Sequence, residues 1–156
     1  MRNYIKSTYQ MKYTVTLLIT ILTLTLQAQK IKVDWTFTSK KIKEGIYELH
    51  LTAKVPKGWH LYSQYTGEGP VATAFKFNTN ALATLTGKVK ELGKLVTVDD
   101  VVWKNKQKFF YNTVDFVQQV QLKTKIKTNV SGEVEYMICD DNQCLPPTTQ
   151  KYSITL

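Results

Sequence analysis

Alternation of apolar and polar residues dominates this chain after residue 29 and limits the folds open to it. In the clearest run the apolar positions are Tyr47, Leu49, Leu51, Ala53 and Val55. A period of two places such side chains on one face of a β-strand. Comparable runs occupy residues 31–37, 75–77, 83–89, 114–122, 134–138 and 152–156. About seven such strands, with turns of Gly, Asn, Lys and Pro between them, predict a single all-β domain built as an antiparallel β-sandwich.

The first 28 residues predict export. Arg2, Lys6 and Lys12 precede an apolar run over residues 13–26, and the small residue Ala28 follows it. This order is typical of a secretory signal peptide. The run is also too short and too rich in threonine for a transmembrane helix, which needs about 20 apolar residues. We therefore expect a signal peptide over residues 1–28 and a mature domain over residues 29–156, without stable membrane insertion, where disulfides persist.

The mature chain is basic but contains no arginine. Of the 21 basic residues, three precede Gln29, and the remaining 18 are all lysines, against 12 acidic residues. Recognition of phosphates and guanine favours the planar fork of arginine. Lysines spread along the chain therefore indicate a solvated surface, and we expect no nucleic-acid partner.

The two cysteines, Cys139 and Cys144, are separated by four polar residues that favour turns. A strand pattern leads into them, and Pro146 and Pro147 follow, which predicts a short hairpin at a sheet edge or in an irregular segment. Because strand faces alternate, Cys139 should point away from the apolar side that holds Ile138, where another protein can reach it. A disulfide closing so short a loop stabilises by only about 2 kcal/mol. The residues alone leave redox exchange, a structural bridge and metal binding open.

The metal hypothesis combines the two cysteines with Met137 and a histidine, a soft ligand set suited to Cu(I). The cysteine spacing is not the usual zinc pattern. His50 lies on the polar face of its strand and is predicted to be solvated. His60 lies beside Trp59, where a pocket is plausible, but nothing in the sequence pairs it with a nucleophile.

Two aromatic segments fit the strand pattern poorly. Residues 58–70 begin like a strand and become a glycine-rich loop, in which we expect Trp59 to be a core residue. Residues 101–110 mix large aromatics with lysines and are predicted to be a loop. A core position and an exposed functional position are equally compatible with Trp103.

These segments resemble one known family. The sequence GWHLYS at residues 58–63, the cysteine segment over residues 136–147 and the signal peptide are similar to the periplasmic N-terminal domain of the thiol:disulfide interchange protein DsbD. The similarity extends over the mature chain. Its most specific part is the strand, the cysteine, the short polar turn, the second cysteine and the two prolines.

The resemblance implies an immunoglobulin-like fold and a periplasmic protein-disulfide reductase component that needs no cofactor or metal. Cys139 and Cys144 match the redox pair of the family. The implied partners are a membrane electron-transfer protein and thioredoxin-like proteins, with disulfide isomerases and cytochrome c maturation thioredoxins as electron acceptors. We expect a monomer. The competing hypotheses are a non-enzymatic β-sandwich binding module with a structural disulfide and a Cu(I)-binding protein.

The chain departs from the family pattern at three points. The best-known members have five residues between the cysteines, and this chain has four. Those members continue into membrane and thioredoxin-like domains, whereas this chain stops at Leu156, so we expect a separate reductant. An aromatic cap loop shields their cysteines. Residues 101–110 occupy its place here, and Trp103 is the predicted cap or access-loop residue.

Overall fold

The computed structural model describes residues 31–156, and all regular structure in that range is β-strand. The predicted signal peptide lies outside the described residues. The nine strands are β1 (Asp34–Lys43), β2 (Ile46–Lys54), β3 (His60–Tyr62), β4 (Ala74–Phe77), β5 (Ala83–Asp100), β6 (Asn105–Leu122), β7 (Asn129–Tyr136), β8 (Ile138–Cys139) and β9 (Thr148–Thr155). Within residues 31–156, no helix is long and apolar enough to cross a membrane.

The strands form two antiparallel sheets. The larger sheet has six strands in the order β1-β2-β6-β3-β8, with β5 also paired to β6. Since β5 pairs with β6 along nearly all of its length, β2 and β3 must lie end to end on the opposite edge of β6. The smaller sheet has the order β4-β7-β9. The predicted all-β, immunoglobulin-like sandwich is confirmed, with nine strands in place of about seven.

The main core lies between the inner faces of the two sheets. Leu51 and Phe116 of the larger sheet belong to the same buried cluster as Val134 of the smaller sheet. The ring centroids of Phe116 and Phe75, which come from different sheets, are 4.9 Å apart. Trp59 is 7% exposed and belongs to this cluster, so its predicted core position is confirmed. Burying each large apolar side chain stabilises the fold by about 1.5–3 kcal/mol.

Strand β6 begins earlier than the sequence predicted, because both of its faces are covered there. Phe110 enters the main core, and its neighbour Phe109 enters a second buried cluster on the outer face of the larger sheet. Two adjacent buried aromatics hide the alternation that identifies a strand. The predicted loop over residues 101–110 is therefore wrong for residues 105–110, and only residues 101–104 form the turn.

Strand β5 also exceeds its predicted length, since pairing continues from Ala83 to Asp100. None of its residues after Ala83 is buried, so the apolar alternation along this strand is weak. Gln118, which interrupts the apolar face of β6, does not interrupt the strand. Its side chain is buried, and its amide Nε2 donates to the carbonyl of Thr86 at 2.9 Å.

The chain changes sheets at Met137. Strand β7 ends at Tyr136 in the smaller sheet, and β8 begins at Ile138 in the larger one, so the single strand predicted over residues 134–138 is two strands. The core side chains nevertheless keep their alternation, because Tyr136 and Ile138 enter the same core from different sheets. Strand β8 is the edge of its sheet, as the prolines after Cys144 predicted.

Candidate functional site

The two cysteines are joined by a disulfide across a tight turn that follows β8. The S–S distance between Cys139 and Cys144 is 1.96 Å, and their Cα atoms are 4.0 Å apart. The N–H of Asp140 donates to the carbonyl of Gln143 at 2.9 Å. The carboxylate Oδ1 of Asp140 accepts the backbone N–H groups of Asn142 at 2.8 Å and Gln143 at 2.7 Å. An Asp whose carboxylate accepts the backbone N–H groups two and three positions ahead favours a tight turn. The residues between the two cysteines therefore specify this turn locally.

The same hydrogen bonds keep the turn negatively charged. Backbone N–H groups of Asn142 and Gln143 hold the pKa of Asp140 below its usual value. Hydrogen bonds to a carboxylate stabilise its ionised form. A thiolate formed at Cys139 therefore develops beside a fixed negative charge.

The two sulfurs differ in exposure. Cys139 is 2% exposed, whereas Cys144 belongs to the exposed residues of the turn. Cys139 does point away from the main core, as strand parity predicted, but the prediction that a partner protein can reach it is wrong. The outer face of the sheet is itself covered at this point, because Tyr62 and Phe109 pack over Cys139.

Four rings cover the outer face beside the disulfide. We call them the outer aromatic cluster: His60, Tyr62, Phe109 and Tyr111. The centroid of the His60 ring lies 4.3 Å from that of Phe109, 5.2 Å from that of Tyr62 and 5.7 Å from that of Tyr111. Burial raises the pKa of Tyr62, and the negative charge of Asp100 contributes in the same direction.

His60 is the immediate cross-strand neighbour of Cys139 in the β3–β8 pair. Directly opposed residues in antiparallel strands have Cβ atoms about 5 Å apart. The Nδ1 atom of His60 is buried without a hydrogen-bond partner among the described residues, and Nε2 lies 3.4 Å from the hydroxyl of Tyr62. The sequence does not pair these residues, because nothing in β3 shows that it will lie beside β8.

Replacing His60 with Phe should make stability less dependent on pH. Burial lowers the pKa of His60, against a smaller opposite effect of Asp141 and Asp140. Below about pH 6.5, the unfolded chain therefore takes up a proton that the folded protein resists. The free energy of unfolding of the wild-type protein should fall there by up to about 1.4 kcal/mol per pH unit relative to the variant.

Denaturant unfolding at about pH 7.5 and about pH 5 measures this difference. Tyr111→Phe is the matched control, because it alters the same cluster and leaves His60 in place. It should keep the wild-type pH dependence. Parallel curves for the wild-type protein and His60→Phe would show that His60 titrates normally in the folded state.

A loop over residues 63–73, called here the site loop, connects β3 to the smaller sheet and is tied to the larger sheet at several points. At its start, Glu91 accepts the hydroxyl of Ser63 at 2.8 Å and the backbone N–H of Gln64 at 2.7 Å. Near its end, the N–H of Val71 donates to the sulfur of Met137 at 3.3 Å. The site loop therefore contacts the residue that lies two positions before Cys139.

Gln107 holds the middle of the site loop and was not identified from the sequence. Its buried side chain accepts the hydroxyl of Thr66 at 2.6 Å through Oε1 and donates through Nε2 to the carbonyl of Glu68 at 3.0 Å. Buried amides with all their groups bonded fix the segments that they join. A glutamine among lysines in an apparent loop gave no signal of this role.

Trp103 lies at the tip of the β5–β6 hairpin and is 45% exposed, so it is not a core residue. The carboxylate of Asp100 accepts its backbone N–H at 2.9 Å. Its ring packs so closely on Gly69 that a Cβ atom at that position would overlap it. Gly69 also has φ +120°, which side chains with a Cβ rarely adopt. Trp103 is thus placed against the site loop, while its predicted role as the cap stays a prediction.

A model of the family described as thiol:disulfide interchange protein DsbD, N-terminal, matches residues 27–156. The chain belongs to this family. The resemblance noted in the sequence is thereby confirmed. The description of the family names thiol–disulfide interchange, which supports a general oxidoreductase-type role.

Two solved structures are similar to this DsbD-type domain. The N-terminal periplasmic domain of ScsB from Proteus mirabilis has a TM-score of 0.50 at 19% identity, over 80% of this chain and 44% of that chain. The match thus spans less than half of the ScsB domain. The reduced N-terminal domain of DsbD from Neisseria meningitidis has a TM-score of 0.44 at 12% identity, over 84% of this chain and 90% of that chain. No curated protein matches the chain.

The second histidine of this DsbD-type domain lies away from the disulfide and is not simply solvated. The Nδ1 atom of His50 is 2.6 Å from Oδ2 of Asp115, whose Oδ1 accepts the hydroxyl of Thr52 at 2.9 Å. The side chain is half-buried. The predicted solvated position is wrong because β6 supplies a partner that the alternation of β2 does not reveal.

A metal site finds little support in the part of the chain described. Residues 31–156 contain no group of three or more His, Cys, Asp and Glu side chains arranged to hold an ion. Met137, the predicted soft ligand, accepts the N–H of Val71 through its sulfur. Both cysteine sulfurs are engaged in the disulfide.

Proposed function

We propose that this domain acts in the periplasm as a thiol–disulfide exchange module that passes electrons through Cys139 and Cys144. The observation that carries the proposal is the unequal exposure of the two sulfurs, since Cys144 lies at the surface and Cys139 lies beneath the outer aromatic cluster. A partner thiolate can approach the bond through Cys144, while the leaving sulfur remains sheltered. Membership of the DsbD N-terminal family supports the redox role.

The exchange proceeds in two displacements. A partner thiolate attacks Sγ of Cys144, the Cys139–Cys144 bond breaks, and Cys139 leaves as a thiolate. The second thiolate of the partner then attacks the partner's own sulfur in the mixed disulfide and releases Cys144. Two electrons have passed to the domain, the partner is left as a disulfide, and the two thiolates take protons from water. The reverse sequence reduces an oxidised target.

The proposed electron donors are a membrane electron-transfer protein or a thioredoxin-like protein. The proposed acceptors are periplasmic proteins that contain disulfides, including disulfide isomerases and cytochrome c maturation thioredoxins. In this scheme the domain is a monomeric component of a protein-disulfide reductase. These assignments rest on the family, and the chemistry of the site requires only that both partners present a reactive sulfur pair.

The site loop and Trp103 are proposed to control access to the disulfide. The ring of Trp103 rests on Gly69, and Val71, two residues further along the loop, contacts Met137 beside β8. An exchange-competent bond in an oxidising compartment meets many thiols, so a cover that opens for selected partners adds specificity.

A structural disulfide in a binding module is the second candidate, and the burial of Cys139 favours it. Buried cysteines without access to partners are inert. The two functions differ in one measurable property, which is the reduction potential of the Cys139–Cys144 couple.

The couple should be reducible within the folded protein. Equilibration with glutathione or thioredoxin redox buffers, followed by alkylation and mass measurement, should give a midpoint above about −300 mV. Exposed disulfides have less negative reduction potentials than structural ones. A bond that stays oxidised in the folded protein under these buffers and is reduced only after unfolding would exclude exchange and establish the structural bridge.

A further inference from the structure

Two neighbouring loops form one end of the sandwich and carry most of its excess charge. We call this surface the lysine end and define it by residues 41–45, which are the end of β1 and the β1–β2 turn, and residues 123–127, which follow β6. The N–H of Leu122 donates to the carbonyl of Gly45 at 2.8 Å, which joins the loops. They border an open hollow of about 460 Å³ that Tyr47 and Leu156 also line.

The excess positive charge is not spread evenly over the surface, in contrast to the expectation from the sequence. Residues 31–156 contain 17 lysines and 12 acidic residues, an excess of five. The lysine end contributes five lysines and one glutamate, an excess of four, and the rest of the domain is left with 12 lysines against 11 acidic residues. The charged residues of the lysine end are Lys41, Lys43, Lys123, Lys125, Lys127 and Glu44.

Most of this charge is not neutralised by the protein. Glu44 pairs with Lys41 at 2.8 Å, and the other four lysines have no ion-pair partner among residues 31–156. All five lysines are exposed. The positive charge of Lys125 also contributes to lowering the pKa of Glu44, which places the two loops within electrostatic reach of each other.

Each loop of the lysine end also exposes an isoleucine between lysines. Ile42 is 45% exposed, with Lys41 and Lys43 on either side, and Ile126 is 62% exposed, with lysines on either side. Exposed apolar side chains flanked by lysines are typical of surfaces that enter the interface of an anionic bilayer. A soluble polyanion without apolar surface would use the lysines alone and would leave both isoleucines in water.

The lysine end lies far from the disulfide along the sandwich. Phe110 of β6 pairs with β3, and β3 pairs with β8, which contains Cys139. From Phe110, strand β6 continues to Leu122 at the lysine end. Twelve residues of strand span up to about 40 Å at about 3.3 Å per residue. This distance exceeds the Debye length of about 8 Å at physiological salt, so the two ends act independently.

We propose that the lysine end is a docking surface for anionic lipid headgroups. The five lysines bind the phosphates, Ile42 and Ile126 enter the boundary of the headgroups, and the disulfide points away from the membrane. Each lysine near an anionic surface strengthens binding about fivefold. This inference does not depend on the exchange chemistry, since the two sites lie at opposite ends of the domain.

The test is cosedimentation of the chain from Gln29 onward, which contains the whole sandwich, with vesicles of phosphatidylcholine containing about one-third phosphatidylglycerol. Binding should be absent with pure phosphatidylcholine and should weaken strongly between about 50 mM and about 500 mM salt. Replacing Lys123, Lys125 and Lys127 with Gln should weaken binding about a hundredfold.

The matched control replaces Lys88, Lys90 and Lys94 of β5 with Gln, which removes the same charge from exposed positions outside the lysine end. It should weaken binding less than fivefold. An equal loss in both triple variants would show that net charge alone drives binding and would overturn the proposal. Absence of binding to the anionic vesicles at low salt would overturn it directly.

A second pair of variants tests the isoleucines. Ile126→Ser should weaken vesicle binding, whereas Leu92→Ser, at an exposed position of β5, should leave it unchanged. Unchanged binding of Ile126→Ser would indicate an electrostatic polyanion site and contradict a lipid surface. Denaturant unfolding of every variant confirms that each comparison is made on folded protein.

Discussion

A Cys139→Ala variant is expected to form a stable mixed disulfide through Cys144, whereas Cys144→Ala should be nearly inert toward disulfides. Cys144 lies at the surface of the turn, and Cys139 lies beneath Tyr62 and Phe109. Reaction of a thiol depends on access as well as on its pKa, so we expect the Cys144 thiol to react about a hundredfold faster than the Cys139 thiol. Rates of reaction with an aromatic disulfide, measured on each single-cysteine variant, give this ratio.

The control for this comparison is the same pair of variants unfolded in urea. Both thiols should then react at similar rates, since the sequence around them is shared and the aromatic cover is gone. Equal rates in the folded proteins would mean that both sulfurs are reached from solution. Faster reaction of Cys139 would reverse the proposed order of attack.

Replacing Trp59 with Ala should mainly lower the stability of the fold, whereas replacing Trp103 with Ala should mainly speed reduction of the disulfide. Trp59 is 7% exposed in the main core, so its removal should lower the free energy of unfolding by about 3–5 kcal/mol. Trp103 is 45% exposed at the hairpin tip, and its removal should lower it by less than about 1 kcal/mol. The Trp103 variant should instead be reduced faster by dithiothreitol, by about tenfold, because the ring no longer holds the site loop at Gly69.

Paired denaturant unfolding and reduction rates decide between these roles. Trp103→Phe is the matched control, since a smaller ring can still rest on Gly69 and should keep the rate close to that of the wild-type protein. An unchanged reduction rate in the Trp103→Ala variant would contradict the proposal that Trp103 and the site loop control access to the disulfide. A loss of several kcal/mol in that variant would mean that the hairpin tip contributes to the fold.

Alternation predicted the fold because most strands bury one face only. Leu49, Leu51 and Ala53 follow the rule, and β2 is where the sequence predicted it. The rule failed at the start of β6, where Phe109 and Phe110 are buried on opposite faces by different clusters. A strand covered on both sides has no period of two in its hydrophobicity, and local patterns cannot separate it from an aromatic loop.

The sequence indicated which two residues could form the disulfide, but not the surroundings in which the bond lies. The cysteine spacing and strand parity correctly placed Cys139 opposite Ile138, facing away from the main core. The cover over Cys139 comes from Tyr62 and Phe109, which are distant in sequence, and is set by the pairing of β3 with both β6 and β8. The same pairing brings His60 beside Cys139. This contact depends on which strands are neighbours in the sheet, and the local sequence does not reveal it.

Backbone hydrogen bonds hold the cysteine turn on both sides of the bond between the sulfurs. Asp140 bonds to Gln143 inside the turn, and the N–H of Leu145 bonds to the carbonyl of Ile138 outside it, so hydrogen bonds bracket the disulfide on both sides. Breaking the S–S bond removes none of them. The oxidised and reduced domains are therefore expected to share one scaffold, so that the proposed exchange requires little structural reorganisation. We expect substitutions within the four turn residues to shift the midpoint of the couple by about 30 mV for every 1.4 kcal/mol of difference between the two forms.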